Sequence, residues 1–429
     1  MLTRPLLIAI LTERMPASEA AEVTGGVEAR CHYVARMLAA SCDVVTIAER
    51  TTGSNWAPAS LRSIPHRLRF SIRALCQLLR GRFDVVDASN MVCYPIAWLG
   101  ARLRGAALVF WVPDVMGDST TSSGLGLAGF VLRVIERLAL RLPADQYIAI
   151  SQATAGKLVS LGVAASKITV VPCGFDGLLV DRLRHERLAS PPLPRLIVVS
   201  RLVSYKRVDV VLMAVASLRA DIPGLAVTIV GQGPERTNLE RLAADLGIAD
   251  IVRFAGFIER HEDVLRLVAE SRCLVSASEI EGFGIAFVEG MALGTPYVIS
   301  DIAAHREVSG GGVGGALVPV GDIDAMAQEI RRTMGDDASW TAKSLACSDY
   351  AGRYLWETIA LDTEGVYKVA LDIRRDGRAP RRQPKKSRAT AAYIAVVNPS
   401  DPVSMRSSLP WNRDENISYV IPAENSPKP

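Results

Sequence analysis

The chain has 429 residues, 49% hydrophobic and 22% charged, with 49 Lys and Arg against 45 Asp and Glu for a net charge of +4. That is too long for one ordinary domain and too apolar for a disordered chain, and it fits two domains of about 180 residues each plus a tail. The small charge gives no case for a nucleic-acid partner, and seven scattered cysteines with five histidines at no ligand spacing point away from a disulfide framework or a metal site and toward a reduced, cytoplasmic protein.

The basic N-terminus carries only six apolar residues before Thr12-Glu13-Arg14. That is short for a signal-peptide core and reads as a first strand, 6–11. No apolar run reaches the roughly 18 residues of a membrane span. The most hydrophobic region, Leu125 to Leu140, is cut by Arg133, Glu136 and Arg137, so any membrane contact is expected to be peripheral.

Gly25 and Gly26 precede a helix over 27–38, with Val27, Val34 and Leu38 at helical spacing. A glycine pair there admits an anionic group or marks a plain turn. A strand follows at 43–47. Between 61 and 83, Arg62, Arg67, Arg69, Arg73, Arg80 and Arg82 surround Leu68, Ile72, Leu75 and Leu79, which fall on one helical face. The pattern predicts a helix packed on the sheet through its leucine face, with the arginines in water. It also suits an anionic membrane surface, and the two readings are compatible.

Strands are expected at 84–86 and 107–112, the second leading into Pro113 and Asp114. An aspartate at the carboxyl end of a strand can take a proton, bind a hydroxyl or cap a helix. Ser119 to Gly126 reads as a flexible polar stretch, and further strands are expected at 147–151 and 168–171. The proline-rich stretch 190–194 reads as a linker. The strand 196–199 then runs into Arg201 and Lys206, five positions apart before an apolar helix at 208–218. Such a pair grips a diphosphate or forms a solvated basic loop. After the strand 226–230 comes Gly231-Gln232-Gly233, but Arg236 stands where a dinucleotide fingerprint needs its third glycine, and that reading fails.

The most informative stretch is Cys273 to Ser300. A short apolar strand leads into Glu281-Gly282-Phe283-Gly284, a helix from Ile285 to Leu293 ending at Gly294, and another strand after Pro296. The glycines and the unpaired amides of the helix start suit a phosphate. Glu281 and Glu289, eight positions apart, would repel that phosphate unless they bind something else, such as sugar hydroxyls.

Those two glutamates, the Gly-Phe-Gly after the first and the Gly-x-Pro strand start resemble the donor-site signature of retaining GT-B glycosyltransferases of the large family-four type. The resemblance covers roughly residues 5–372. It implies an α/β fold of two Rossmann-like domains facing across a cleft. The implied boundaries are 1–188 for the acceptor side, together with a crossover helix at 356–372, and 189–355 for the donor side. A basic, then polar tail at 373–429 is expected to be disordered.

By resemblance, Glu281 faces the donor sugar and Glu289 holds the ribose. Arg201, Lys206 and the backbone at Phe283, Gly284 and Ile285 meet the phosphates, with Gly25 and Gly26 opposite them. Ile258 lies where the base is met, and Asp114 lies near the acceptor hydroxyl. Family members carry a histidine before that aspartate, and here Pro113 replaces it. The implied function is transfer of a hexosyl group from a nucleotide diphosphate sugar to a glycan or lipid-linked acceptor in cell-envelope or exopolysaccharide synthesis, with no metal and no separate cofactor. A cytoplasmic protein, peripheral on an anionic membrane, is expected. A non-catalytic GT-B relative acting as a scaffold, or a small-molecule glycosyltransferase, remains a second reading.

Overall fold

The structure is a computed structural model that describes residues 4–16, 25–51, 64–115, 126–186 and 193–376. Its strands are β1 (Leu7–Pro16), β2 (Asp43–Thr51), β3 (Val85–Ser89), β4 (Ala107–Val112), β5 (Gln146–Ala149) and β6 (Ile168–Val170), then β7 (Arg195–Val199), β8 (Ala226–Val230), β9 (Val252–Gly256), β10 (Cys273–Ser276), β11 (Tyr297–Ser300) and β12 (Ala316–Val318). They form two parallel sheets of six strands, in the orders β2-β1-β3-β4-β5-β6 and β12-β11-β10-β7-β8-β9. Strands β3, β4 and β5 are buried throughout, which is why they read as near-continuous apolar runs. In the second sheet the order reverses at β7, which lies between β10 and β8. A crevice therefore opens at the carboxyl ends of those strands, where α/β sheets hold ligands.

The helices beside the first sheet are α1 (Gly26–Leu38), α2 (Ile64–Arg80), α3 (Cys93–Arg104), α4 (Gly126–Leu140) and α5 (Gln152–Ser160), while α6 (Gly177–Glu186) packs on the helix His261–Ala269. Those beside the second are α7 (Val208–Leu218), α8 (Arg236–Asp245), α9 (His261–Ala269), α10 (Ile285–Ala292), α11 (Ala303–Val308), α12 (Ile323–Gly335) and α13 (Asp337–Ala351). The last helix, α14 (Trp356–Asp376), packs on α1, β4 and β5. Helices α2, α3 and α4 cover one face of the first sheet, and α1 and α14 cover the other.

Three expectations change. Helix α2 buries its leucine stripe only in part, with Leu75 packed at the edge of the core. It packs through Phe70, Ala74 and Leu78, while Leu68 and Ile72 are 59% and 57% exposed. The i, i+4 row through Ala74 allows a closer approach, because Leu78 sits directly against Gly100 of α3. The tail expected from 373 is helical at its start. Helix α14 continues to Asp376 and places Arg374 4.0 Å from Asp145, and the remaining 377–429 lie outside the described residues. Gly126 opens α4 instead of ending a polar stretch, and 116–125, with most of the 190–194 linker, also lie outside the described residues.

A buried ion pair ties α1 to the sheet. Arg30 Nη1 lies 2.6 Å from Asp87 Oδ2, with both side chains almost wholly enclosed. Tyr367 of α14 donates to the same carboxylate, and the guanidinium stands 5.2 Å over the Trp111 ring. Arg30→Met would leave Asp87 charged and unpaired in the core. It is expected to lower unfolding free energy by about 3–5 kcal/mol in denaturant titration, and the double change with Asp87→Leu should cost much less.

Candidate active site

The loops after β7 and β10 meet because the two strands are neighbours. After β7, the short turn Ser204–Lys206 carries Lys206 to a buried position, where its Nζ pairs with Glu281 Oε1. Ser278 Oγ lies 3.3 Å from the same oxygen. Two further ties hold the loops together: Arg207 Nη1 to Glu279 Oε1 at 2.6 Å, and the Glu279 amide to the Tyr205 carbonyl at 2.9 Å. Arg207 itself has a left-handed backbone, φ 47°, at the start of α7. Its Nη2 also donates to Asp209 Oδ2 at 3.0 Å, and a strained position held by two acids is a pre-set loop. Arg201 stays exposed, donating to Tyr205 Oη at 2.6 Å.

Helix α10 starts at this junction, with Gly284 as its N-cap. Its first amides and positive dipole end therefore face the Lys206–Glu281 pair. Glu289 is buried on the second turn and receives His261 Nε2 at 2.7 Å. His305, close by, is also buried, and that burial holds its imidazole below the ordinary histidine range. Its Nδ1 lies 2.8 Å from the Ser300 carbonyl. Near neutral pH it adds no positive charge beside Glu281, which leaves that role to Lys206.

A cavity of about 360 Å³ lies between the sheets. From the second sheet it is lined by Arg201, Ile258, Ile285 and Glu289. From the first it is lined by Gly25 and Gly26, and a Cβ built on either glycine would meet no atom within 4 Å. The space beside them is open to a ligand. A smaller pocket holds Lys206, Glu281 and Gly284, and shares Val199, Ser200 and Ala286 with the larger one. Phe283 contributes no side chain to either, because its ring is buried edge-on against Tyr354.

Asp114 lines neither cavity. Its Oδ1 accepts Lys157 Nζ at 2.6 Å and the Val115 amide at 2.8 Å. Among the described residues no helix starts directly after it, since the next begins at Gly126. Asp114 does adjoin Glu281: a Cβ on Gly282 would come within 2.4 Å of the Pro113 carbonyl oxygen and 3.2 Å of Asp114 Cβ. Glycine is required there because the two loops touch. Across the same cleft, both carboxylate oxygens of Glu307 take the Gln152 amide at the start of α5, at 2.8 and 2.9 Å. Burial raises the Glu307 carboxyl above its usual range.

The failed dinucleotide fingerprint also has a structural explanation. A Cβ on Gly231 would sit 1.9 Å from the Ser200 carbonyl, and one on Gly233 2.1 Å from that of Leu202. These glycines let two loops pack together. Four residues at the site were not among those expected. His261 and Lys157 have no motif around them, Gln232 sits inside the glycine fingerprint that fails, and Tyr33 is the lone tyrosine of a helix marked by Val27, Val34 and Leu38. Tyr33 stacks on Trp356, 5.3 Å between centroids and 10° from parallel, to form the cavity wall.

A family model described as glycosyl transferases group 1 matches residues 181–351, and one described as Glycosyltransferase Family 4 matches residues 24–177. A D-inositol 3-phosphate glycosyltransferase of Stackebrandtia nassauensis is 30% identical over 332 residues, 72% of each chain. A GDP-mannose-dependent alpha-(1-6)-phosphatidylinositol monomannoside mannosyltransferase of Mycobacterium tuberculosis is 28% identical over 286 residues, 62% of this chain and 71% of that one. In structure, Anabaena Alr3699/HepE, solved with UDP-glucose, superposes with a TM-score of 0.66 at 21% identity, over 85% of this chain and 99% of that one. That likeness shows the fold. The matched sequence and the two facing sheets together make the chain a glycosyltransferase of group 1, with the GT-B fold.

Proposed function

We propose that the protein moves a hexosyl group from a nucleoside diphosphate sugar to a glycan or lipid-linked acceptor in cell-envelope or exopolysaccharide synthesis, with retention of anomeric configuration. The observation that carries this reading is the buried Lys206, set against Glu281 at the N-terminus of α10. A cation, a carboxylate and a helix start within one small pocket match a phosphate next to a sugar. Lys206, Arg201 and the amides from Phe283 to Ile285 neutralise the departing diphosphate, so the reading needs no metal and no separate cofactor. Glu281 takes the sugar hydroxyls, Glu289 the ribose, and the backbone at Ile258 meets the base. Gly25 and Gly26 close over the phosphates. Asp114, held by Lys157, lies on the acceptor side beside Glu281.

Retention follows if the acceptor hydroxyl enters on the face the diphosphate leaves. The C1–O bond breaks, the phosphate oxygen keeps the electron pair, and the acceptor's proton passes to that side. The cleft excludes water where the loops of the two sheets meet at Gly282 and Glu307. Among the described residues no helix is long and apolar enough to cross a membrane, and we place the protein on the cytoplasmic face of one. The test is an assay with a panel of nucleoside diphosphate sugars and a membrane lipid extract. Release of nucleoside diphosphate from one donor, with a product of unchanged anomeric configuration by NMR, is expected. Inversion would overturn retention, and release from no donor would overturn the transferase reading.

A further inference from the structure

Three polar groups converge on the smaller pocket. Lys206 is buried and carries three N–H donors, of which Glu281 Oε1 takes one. Ser200 Oγ, directly after β7, is shut off from solvent and has no hydrogen-bond partner among the described residues. His305 of α11 is 1% exposed, with its Nδ1 2.8 Å from the Ser300 carbonyl oxygen. A carbonyl only accepts, so Nδ1 carries the proton and Nε2 keeps the lone pair of the neutral ring. All three residues line one cavity of about 30 Å³ under the start of α10. A buried water needs roughly 10–15 Å³ and two to four polar partners. Ser276 also lines this cavity, but its hydroxyl is engaged with that of Ser278 at 3.1 Å. Much of the remaining wall is apolar, including Val198, Val211, Leu274 and Phe287.

We propose that this chamber holds one ordered water, bonded to Lys206 Nζ, His305 Nε2 and Ser200 Oγ, and that His305 is a positioning residue for the lysine. The water accepts from the ammonium, donates to Nε2 and exchanges its remaining bond with the serine hydroxyl. Each otherwise unanswered polar group is then satisfied. The ammonium is tetrahedral, so one N–H on Glu281 and one on the water fix the direction of the third. That proton is left for the diphosphate. The inference rests on the reading of Lys206 as the cation that meets the leaving group, but the water can be observed without turnover. Protonation undoes the arrangement. The charged groups facing His305 are Glu281 and Lys206 from the two loops and Asp301 from the loop after β11. The acids favour its proton, whereas burial and the lysine oppose it, and burial dominates. Once charged, the ring offers a donor at Nε2, the water must turn, and two cations compete for Glu281. Turnover should therefore hold at neutral pH and fall on an acid limb with its midpoint below about 6.5, the ordinary histidine value.

The first test is a crystal structure of the full chain at a resolution that shows ordered water, alone and with its matching nucleoside diphosphate sugar. A water within hydrogen-bond distance of Lys206 Nζ, His305 Nε2 and Ser200 Oγ is expected in both. A dry chamber, or a sugar hydroxyl in the water's place, would overturn the proposal. The second test is the pH profile of kcat. His305→Phe should lower kcat about tenfold with KM little changed, and Ser200→Ala about threefold. His305→Gln keeps an acceptor near the Nε2 position and does not titrate, so it should recover most of the turnover and lose the acid limb. A limb that survives in His305→Gln would overturn the positioning role. If the His305 variants fail to fold, Ser200→Ala decides, and wild-type kcat in that variant would overturn the proposal. A water in place with no turnover of any donor brings down only the transferase reading. Turnover with a dry chamber brings down only this one.

Discussion

Lys206→Met is expected to lower turnover by a factor on the order of 10²–10³, with the fold intact by circular dichroism. The lysine is the buried cation of the small pocket, and its partner is the carboxylate expected to face the donor sugar. Removing it withdraws the charge that balances the departing diphosphate. It also leaves Glu281 uncompensated, facing the phosphates it must tolerate. The effect should fall on kcat more than on KM, because the negative charge on the leaving oxygen grows as the bond to C1 breaks. Lys206→Arg should not restore wild-type turnover, since a forked guanidinium cannot take the same point contact in a pocket of this size. A variant that kept wild-type kcat would remove Lys206 from the machinery.

The second large effect is expected at Glu289. Glu289→Gln should weaken binding of the matching nucleoside diphosphate by about tenfold to a hundredfold, the range for hydrogen bonds to a charged group. Burial on α10 and the bond to His261 at 2.7 Å fix the direction of this carboxylate, which lines the cavity. If its partner is the ribose, a 2′- or 3′-deoxy nucleotide should lose a comparable factor on wild type. On the variant the two losses should not add, because both remove the same contact. Isothermal titration with the four combinations reads this directly. Additive losses would place the ribose elsewhere.

How much of this was legible in the chain depends on how local each signal is. The strand at Ala107–Val112 and the helix at Val208–Leu218 were readable to the residue, because a buried strand and a buried helix each carry their own apolar period. The Glu281–Glu289 pair was readable because loop, cap and helix lie within one short segment. His261 was not, although it touches Glu289, since the two are 28 positions apart and are joined only by the packing of α9 beside α10. Lys157 and Asp114 are 43 apart and meet for a similar reason. Helix α2 shows a different limit. Its arginines and leucines gave the amphipathic period correctly, but period alone does not say which of two apolar rows faces the sheet. Ala74 and the facing Gly100 decided that, and they put Leu68 and Ile72 outward.

The most direct measurement is a crystal structure of the protein with its matching nucleoside diphosphate. The expected result places phosphate oxygens within hydrogen-bond distance of Lys206 Nζ and of the first amides of α10, with Arg201 beside them and the ribose hydroxyls on Glu289. A nucleotide bound with its phosphates away from Lys206, the Lys206–Glu281 pair undisturbed and Glu289 still committed to His261 alone, would contradict it.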